Sequence, residues 1–324
     1  MDRRHFLIAG SSLGLAPFGA WANESFPNRP VKLISPYAPG GGPDVQLRQF
    51  APYFRDVINQ PVVVENKVGA AGVLAANFVA GSNADGYTIL LGSNTHLIQK
   101  LLRPSLNFEP MKDFVAVSNL ASSPTVMVVG ADSPWKRIED LAAAGKSAVN
   151  SMNYGSGGIG TSAHLAGATF ASLQGMKVTH IPLRGSVEIT ASLIRGDTQY
   201  AFPVAGTAIP QVKGGRLRAL AVTSAKRLSE LPDVPTLNEL MNNELTVQES
   251  WFGLWAPAKT PEDVTQRLHE TAVRAMSNAE LHKVFEAAGN SVSPSESPTA
   301  FRDFIQRENT KWAEIVRLSG ATSS

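Results

Sequence analysis

The chain has 324 residues, more than the roughly 100–200 of one typical domain, which points to two domains or one large α/β unit. Hydrophobic residues make up 43% and charged residues 17% of the chain, a composition that excludes disorder as the main state. The net charge is only +2, with no basic run, which disfavours a nucleic-acid partner, and the lack of cysteine excludes disulfides, thiolate catalysis and cysteine-held metals.

Residues 1–22 have the pattern of an export signal. Arg3 and Arg4 form a short basic segment that resembles the twin-arginine signal, and Ala20 and Ala22 supply an A-x-A cleavage pattern. The apolar stretch between them is shorter than the roughly 20 residues of a membrane span, which argues against a retained anchor. We therefore expect cleavage after Ala22 and a mature protein that is soluble in the periplasm.

Strand-like and helical patterns alternate along the rest of the chain. The predicted strands cover 31–35, 62–65, 87–91, 114–121, 125–129, 151–154, 178–181, 199–202, 217–223 and 251–256. The predicted helices cover 43–59, 70–80, 138–144, 161–173, 187–194, 262–277, 279–288 and 299–318. The opening β-α-β-α-β order implies a parallel sheet with helices on both faces, and a similar α/β unit follows it. Two such units in tandem predict a ligand crevice between them, at the carboxyl ends of the strands.

The loop after the first predicted strand is rich in glycine and runs directly into a helix. Its backbone N–H groups can turn toward a ligand, and the helix adds its positive N-terminal end, so the loop predicts a cradle for a carboxylate or phosphate. A tight turn with no ligand is the alternative. The spacing lacks the Lys and Ser/Thr of a nucleoside-triphosphate loop, and Asp44 is expected to cap or hold the loop. The candidate residues of this first cradle are Tyr37, Pro39, Gly40, Gly41, Gly42 and Asp44.

A second glycine-rich loop leads into the predicted helix 161–173. Its glycines match the G-x-G-x-x-G pattern of dinucleotide sites, and Arg184 could contact a 2′-phosphate, so an exported NADP-dependent oxidoreductase is an alternative function. Thr161 and Ser162 could instead donate hydroxyl hydrogen bonds to a carboxylate and form a second anion cradle opposite the first. The candidate residues of this loop are Gly155, Ser156, Gly157, Gly160, Thr161 and Ser162.

Catalytic and metal sites find little support in the sequence. The six histidines show no metal-ligand spacing, and Ser156 does not lie in a G-x-S-x-G elbow. His269 and His282 lie in polar helical stretches and are expected at the surface. We therefore expect no enzyme activity, no metal and no cofactor.

Six segments then follow one another at characteristic intervals. They are 31–44 (VKLISPYAPGGGPD), 62–66 (VVVEN), 85–92 (DGYTILLG), 220–224 (LAVTS), 231–236 (LPDVPT) and 250–254 (SWFGL). Together they resemble the Bug family, the extracytoplasmic receptors of tripartite tricarboxylate transporters, from about residue 26 to 320. The resemblance implies a two-domain, type II periplasmic binding-protein fold that closes like a flytrap on a small, usually carboxylated ligand, without catalysis.

The resemblance also implies a domain division and transport partners. Residues 1–22 are the signal, 23–122 with 245–324 form domain 1, and 123–244 form domain 2, with the return crossing between 222 and 257. Each domain is expected to be a mainly parallel sheet flanked by helices. The expected partners are a small carboxylate and the inner-membrane subunits of a tripartite transporter, with the receptor itself a monomer. A receptor that feeds a signalling partner is the alternative role.

Further site residues come from the same resemblance. They are Ser93, Asn94, Thr95, Arg184, Gly185 and Ser186. One position departs from the family, whose members commonly have Phe-Asp-Asn where this chain has Phe202 followed by Pro203. Because Pro203 cannot meet an ammonium group, we expect a plain or aromatic acid as ligand in preference to an amino acid.

Overall fold

A computed structural model describes residues 26–40, 42–147, 152–183 and 186–321 of the chain. The predicted signal, residues 1–22, and the candidate site residues Gly41, Arg184 and Gly185 lie outside the described residues. No helix within the described residues is long and apolar enough to cross a membrane.

Strands and helices alternate along most of the chain. The strands are β1 Val31–Ser35, β2 Val62–Asn66, β3 Thr88–Ser93, β4 Phe114–Pro124, β5 Val126–Gly130, β6 Met152–Ser156, β7 Val178–Pro182, β8 Tyr200–Ala201, β9 Leu217–Val222, β10 Glu249–Pro257 and β11 Ser291–Val292. The α-helices are α1 Gly42–Ile58, α2 Val73–Ala80, α3 Asn94–Leu102, α4 Ile138–Lys146, α5 Ser162–Gln174, α6 Ser186–Arg195, α7 Ala205–Lys213, α8 Leu237–Met241, α9 Glu262–Met276, α10 Ala279–Ala287 and α11 Pro298–Ser319. Short 3₁₀ turns cover Ala70–Gly72 and Glu244–Thr246.

These strands form two sheets. Each sheet, together with the helices that cover it, is called a lobe. The first sheet has the order β11-β4-β10-β3-β1-β2, and the second has the order β7-β6-β8-β5-β9. The prediction of two tandem α/β units is therefore confirmed. Both sheets are mixed, however, where the sequence predicted mainly parallel ones. In the first sheet β1 pairs in parallel with β2 and β3, whereas β10 pairs antiparallel with β3 and β4.

The chain's two crossings between the lobes explain the mixed sheets. It leaves the first sheet at the end of β4 and returns at the start of β10, so these neighbouring strands must run in opposite directions. The crossings are joined by buried threonines: Thr223 Oγ1 lies 3.0 Å from both the backbone nitrogen and Oγ1 of Thr125. Thr223 Oγ1 also donates to the carbonyl of Gln248 at 2.8 Å. The two connections therefore form one hydrogen-bonded unit between the lobes.

Side-chain alternation builds the two helical layers of the first lobe. Along β1, Leu33 packs with α1, α9 and α10 on one face, whereas the next residue, Ile34, packs with α2, α3 and α11 on the other. Along β10, Phe252 and Trp251 divide in the same way. Successive strand side chains point to opposite faces, so a continuous apolar run is needed where both faces are covered. Both faces of this sheet are therefore core.

The predicted helix over 70–80 is wrong in its first turn. Ala70 and Ala71 both have positive φ, 47° and 53°, and form a 3₁₀ turn before α2 begins at Val73. A Cβ on Gly72, where φ is 89°, would lie 3.0 Å from Nε2 of His96. Local helix propensity favours this Ala-rich stretch as helix, but the close approach of the turn to α3 overrides it.

Candidate functional site

Asp44 holds the first glycine-rich loop in place. Its side chain has no exposed surface, and Oδ2 accepts from the Gly40 N–H at 3.0 Å and from Arg48 Nε at 2.9 Å, while Oδ1 accepts from Asn66 Nδ2. Burial by itself would raise the pKa of Asp44, but the hydrogen bonds from Arg48, Gly40 and Asn66 hold it below its usual value. Asp44 is therefore a loop anchor, as the sequence predicted, and it is not free to act as a base.

Tyr37 connects this loop to the one that follows β3. Its hydroxyl donates to Ser93 Oγ at 3.0 Å, and burial raises the pKa of the phenol despite the hydrogen bonds with Ser93 and Thr95. The connection arises because β1 and β3 are parallel neighbours, so their carboxyl ends meet at one edge. Tyr37, Ser93 and Thr95 thus lie together, and Asn94 begins α3 beside them.

The middle of the first loop faces open space. Pro39, Gly40 and Gly42 are exposed, and a Cβ added to Gly40 or Gly42 would meet no atom within 4 Å. Gly40 has φ 79°, a conformation that glycine adopts at little cost. The first amides of α1 have no intrahelical acceptor and can bind an anion at this surface.

The second glycine-rich loop is held by its own hydroxyl groups. Thr161 is the N-cap of α5: Oγ1 accepts from the His164 N–H at 3.2 Å and donates to the Gly158 carbonyl at 2.8 Å. Ser156 Oγ accepts from the Gly158 N–H at 3.1 Å. In this arrangement the Thr161 proton goes to the loop, and its predicted role as a hydroxyl donor to a ligand stays a prediction. The amides of Ser162 and Ala163, which precede His164 in α5, have no intrahelical acceptor.

Side chains connect the two lobes directly beside these loops. Ser162 Oγ lies 2.6 Å from Ser250 Oγ at the start of β10 and 3.4 Å from Asn94 Nδ2 at the start of α3. Asn94 is 1% exposed and also donates to the Glu249 carbonyl at 3.5 Å. Its Oδ1 has no hydrogen-bond partner among the described residues. The N-termini of α3 and α5 thus meet across the space between the lobes.

Gly160 extends this contact between the lobes. It has φ 78°, and a Cβ there would lie 2.8 Å from Nε2 of Gln99 and from Cδ1 of Leu102, both on α3. Gly155 and Gly157 precede it in the same loop, at the end of β6 and just beyond. The structure therefore brings residues 155–162 together with residues 93–95, whereas the described residues in the open part of the first loop, 39–40 and 42, form no hydrogen bond to either.

The remaining predicted site residues lie elsewhere or are not described. Pro203 is buried beyond β8, and its carbonyl accepts from the Val126 N–H at 2.9 Å next to the crossing between the lobes. Ser186 begins α6, whose first side chains are not described. Gly41, Arg184 and Gly185 stay predictions. Sequence reasoning missed Ser250 and Gln99 as residues of this site, although Ser250 lies in one of the segments that carry the family resemblance.

The chemistry of the site is that of anion binding by backbone amides. Helix N-termini, hydroxyls and an asparagine meet there, and no group of histidines and carboxylates that could hold a metal ion occurs among the described residues. Such donors favour a carboxylate through oriented N–H groups without the need for a full positive charge.

His96 is a buried histidine beneath this site. It is 1% exposed, and its Nδ1 accepts from the Ser93 N–H at 3.1 Å in a capping box at the start of α3. Burial lowers the pKa of His96 to about 4, and the backbone of Ser93 and Gly72 opposes this shift only in part. The unfolded chain, with a histidine pKa near 6.5, therefore binds more protons than the folded one between those values.

We expect the free energy of unfolding to fall by up to roughly 3 kcal/mol through His96 as the pH drops from about 6.5 to 4. His96→Gln keeps a capping-box acceptor that does not titrate. Over the same pH range, the free energy of unfolding of this variant should therefore fall by less than that of the wild type, and the difference should equal the contribution of His96. Urea melts of both proteins between pH 7 and pH 4 measure the difference. Equal pH dependence in the two proteins would contradict the assignment.

Comparison with known proteins places the chain among transport receptors. The family model described as "Tripartite tricarboxylate transporter family receptor" matches residues 46–320. Protein BugT of Bordetella pertussis is 32% identical over 300 residues, which cover 92% of this chain and 91% of BugT.

Solved structures show the same similarity. An R. palustris protein with adipate has a TM-score of 0.81 and 26% identity, and the match covers 92% of this chain and 99% of that one. MatC from Rhodopseudomonas palustris with bound malate has a TM-score of 0.78 and 27% identity, over 90% of this chain and all of MatC. The periplasmic binding protein BugD has a TM-score of 0.78 and 28% identity, and the match covers 92% of this chain and all of BugD.

Proposed function

The chain belongs to the tripartite tricarboxylate transporter receptor family, and we propose on that premise that it captures a small carboxylate between its two lobes. The observation that carries the proposal is the meeting of the α3 and α5 N-termini, where Ser162 contacts both Asn94 and Ser250 across the lobes. Helix N-termini aimed at one space favour an anion. The family is one of solute-binding receptors, and catalysis is not part of this proposal.

The proposed binding surface comprises the loop of the first lobe and the glycine-rich loop of the second. Its residues are Tyr37, Pro39, Gly40, Gly41, Gly42, Asp44, Ser93, Asn94, Thr95, Gly155, Ser156, Gly157, Gly160, Thr161, Ser162, Arg184, Gly185, Ser186 and Pro203. Within it, Asp44, Ser156 and Thr161 support the loops, and the backbone amides bind the ligand. Dicarboxylates such as the adipate and malate of the related structures are the first ligands to test, and Pro203 disfavours an amino acid.

To close on the ligand, the two lobes would rotate about the two chain crossings that connect them, which would act as a hinge. We place domain 1 at 23–122 with 245–324 and domain 2 at 123–244, a division that leaves β10 and all but the last two residues of β4 in domain 1, and β5 and β9 in domain 2. The hydrogen bonds among Thr125, Thr223 and Gln248 keep the two connections together while the lobes rotate. A ligand that contacts both lobes stabilises the closed form because only that form completes the site.

Location and partners follow from the same proposal. Proteins of this type, such as BugD, are periplasmic. The chain would likewise be exported to the periplasm, and its signal would be cleaved after Ala22. There, as a monomer, it would present the closed form to the inner-membrane subunits of a tripartite transporter. Mass spectrometry of the secreted chain tests the cleavage site.

A thermal-shift screen of residues 23–324 tests the function. Adipate, malate, citrate, benzoate, glutamate and NADPH are added separately at millimolar concentration. An acid at about 100 times its dissociation constant adds roughly 2.7 kcal/mol, which raises the melting temperature by a few degrees at this size. If NADPH alone raises the melting temperature, the oxidoreductase alternative is favoured. If none of the acids raises it, the result counts against a receptor for the classes of acid tested.

A substitution in the first loop locates the site. Gly42→Leu fills the open space above the exposed loop without an internal clash, so we expect the acid-induced shift to disappear while the melting temperature of the free protein changes little. Gly81→Leu is the matched control, since Gly81 follows α2 at the opposite edge of the sheet. Retention of the shift in Gly42→Leu would remove this loop from the site.

A further inference from the structure

Two histidines support the second glycine-rich loop from below. His164, in the first turn of α5, is 5% exposed, and its Nδ1 accepts from the Gly160 N–H at 3.2 Å. Because a backbone N–H can only donate, Nδ1 must carry no proton, and the neutral ring keeps its proton on Nε2. This hydrogen bond orients the amide of Gly160, the residue that lies against Gln99 and Leu102 of the other lobe.

His180 acts on the same loop through a serine. Its Nε2 lies 2.5 Å from Ser156 Oγ, which accepts from the Gly158 N–H at 3.1 Å. Ser156 Oγ also lies 3.2 Å from the Gly158 carbonyl, so the single serine proton can go to that carbonyl or to an unprotonated Nε2 on His180. The neutral form of His164 is therefore the form that orders the Gly160 amide, and the contact between His180 and Ser156 holds the start of the same loop.

The two rings form one stack under the loop. Their centroids are 4.2 Å apart, and the Tyr154 ring of β6 lies 5.0 Å from His180 and 6.3 Å from His164. Two imidazolium rings at this separation would repel each other. Protonation of either ring therefore opposes protonation of the other, and protonation of His164 at Nδ1 removes the acceptor of the Gly160 N–H.

The surroundings of the stack favour neutral rings. Tyr154 of β6 lies against the stack and Tyr200 of β8 packs on Tyr154, and burial raises the pKa of both phenols, so both are neutral at physiological pH. On the other lobe Arg103, which directly follows α3, donates to Gln99 beside Gly160. α11 packs on the Leu165 side of α5, with Glu308 and Lys311 paired there. Burial and then the charge of His180 lower the pKa of His164 to about 4, and burial lowers that of His180.

We propose that His164 and His180 are positioning residues that hold the second glycine-rich loop in its anion-binding form, and that His164 does so only while its ring is neutral. The proposal deepens the proposed carboxylate function and rests on it for the identity of what the loop holds. It does not require either ring to touch the ligand. A receptor of this design loses its loop order, and with it ligand affinity, as the medium becomes acidic.

Nuclear magnetic resonance of the ligand-free protein tests the positioning role. The dipeptide Ile159-Gly160 occurs once in the sequence, so carbonyl-labelled isoleucine with amide-labelled glycine assigns the Gly160 signal directly. In the wild-type protein we expect the Gly160 amide to be protected from exchange at pH 7 and to lose protection with the same midpoint as the His164 ring signals. His164→Asn supplies an oxygen acceptor that does not titrate, so protection should persist to pH 4. His164→Phe should speed the exchange at least about tenfold at pH 7.

A binding experiment links the loop to function, and controls separate the outcomes. With adipate as the probe, affinity should fall about tenfold in His164→Phe and stay within about twofold in His164→Asn at pH 7.5. His282→Asn, in α10 of the other lobe, is the matched control and should change neither the exchange of Gly160 nor the affinity. Equal Gly160 exchange in wild type and His164→Phe, or equal pH sensitivity in wild type and His164→Asn, would overturn the proposal. If adipate binds no form, the carboxylate proposal fails for this probe while the exchange data still decide the positioning role.

Discussion

Replacing Glu308 with alanine is expected to lower the free energy of unfolding by about 3–5 kcal/mol. Glu308 is 7% exposed, and its Oε2 accepts from the indole nitrogens of both Trp251, at 2.9 Å, and Trp312, at 2.8 Å. Its other oxygen pairs with Lys311. Removal of the carboxylate leaves two buried N–H donors without an acceptor, and each such donor costs about 1–3 kcal/mol.

Urea denaturation of three variants measures this effect. Glu308→Gln keeps an oxygen acceptor and should lose less than half as much as Glu308→Ala, whereas Glu314→Ala, on the exposed side of the same helix, should change stability by less than about 0.5 kcal/mol. Trp251 adjoins Ser250, which contacts Ser162 across the lobes, so the alanine variant should also weaken ligand binding. A loss below about 1 kcal/mol in Glu308→Ala would show that the two indoles find other partners or water.

Much of the fold follows from local patterns in the sequence. The helix predicted over 262–277 is α9, Glu262–Met276, because its apolar residues recur at the helical period and one face is buried. The direction of β10 did not follow, since its antiparallel pairing depends on where the chain crosses between the lobes. The turn at Ala70 and Ala71 also depends on a distant contact, the packing of Gly72 on His96. Local periodicity therefore predicts elements, while their pairing and irregular turns depend on tertiary contacts.

The candidate site was likewise predictable where it depends on local sequence patterns and not where it depends on tertiary contacts. Glycine next to a strand end marked both loops, and the carboxyl ends of parallel strands placed Tyr37 beside Ser93. What each side chain faces was not readable in this way: Thr161 serves its own loop, and Ser162 contacts the other lobe. His269 was expected at the surface, but it is 4% exposed and lies 2.9 Å from the Val117 carbonyl through Nδ1. A polar residue in a polar helix is buried when a backbone carbonyl of a neighbouring strand is available to it.

A single methyl group at Gly206 is expected to weaken ligand binding about tenfold or more. Gly206 lies in the first turn of α7, and a Cβ there would lie 2.5 Å from the carbonyl oxygen of Ala288, which follows α10 in the other lobe. Gly289, with φ 72°, packs on the same turn, where a Cβ would lie 3.1 Å from the Gly206 nitrogen. The atom that the Gly206 methyl would meet is a backbone carbonyl oxygen, so it cannot yield as the end of a flexible side chain would. The added methyl must therefore separate the lobes at this point.

The position of this contact makes the effect large. Pro203, three residues before Gly206, accepts from the Val126 N–H at the crossing between the lobes, so a displacement here rotates one lobe about the hinge and moves the distant loops further. An overpacked contact costs about 1–3 kcal/mol, and each 1.4 kcal/mol against the ligand-binding arrangement reduces affinity tenfold. Calorimetry with the acid that gives the largest thermal shift measures the loss, and small-angle scattering measures the change in the angle between the lobes. Gly81→Ala, whose Cβ would make only an ordinary contact at 3.5 Å, should leave both unchanged. An unaltered affinity in Gly206→Ala would mean that the two lobes approach the ligand independently of this contact, and the hinge would then have to lie elsewhere.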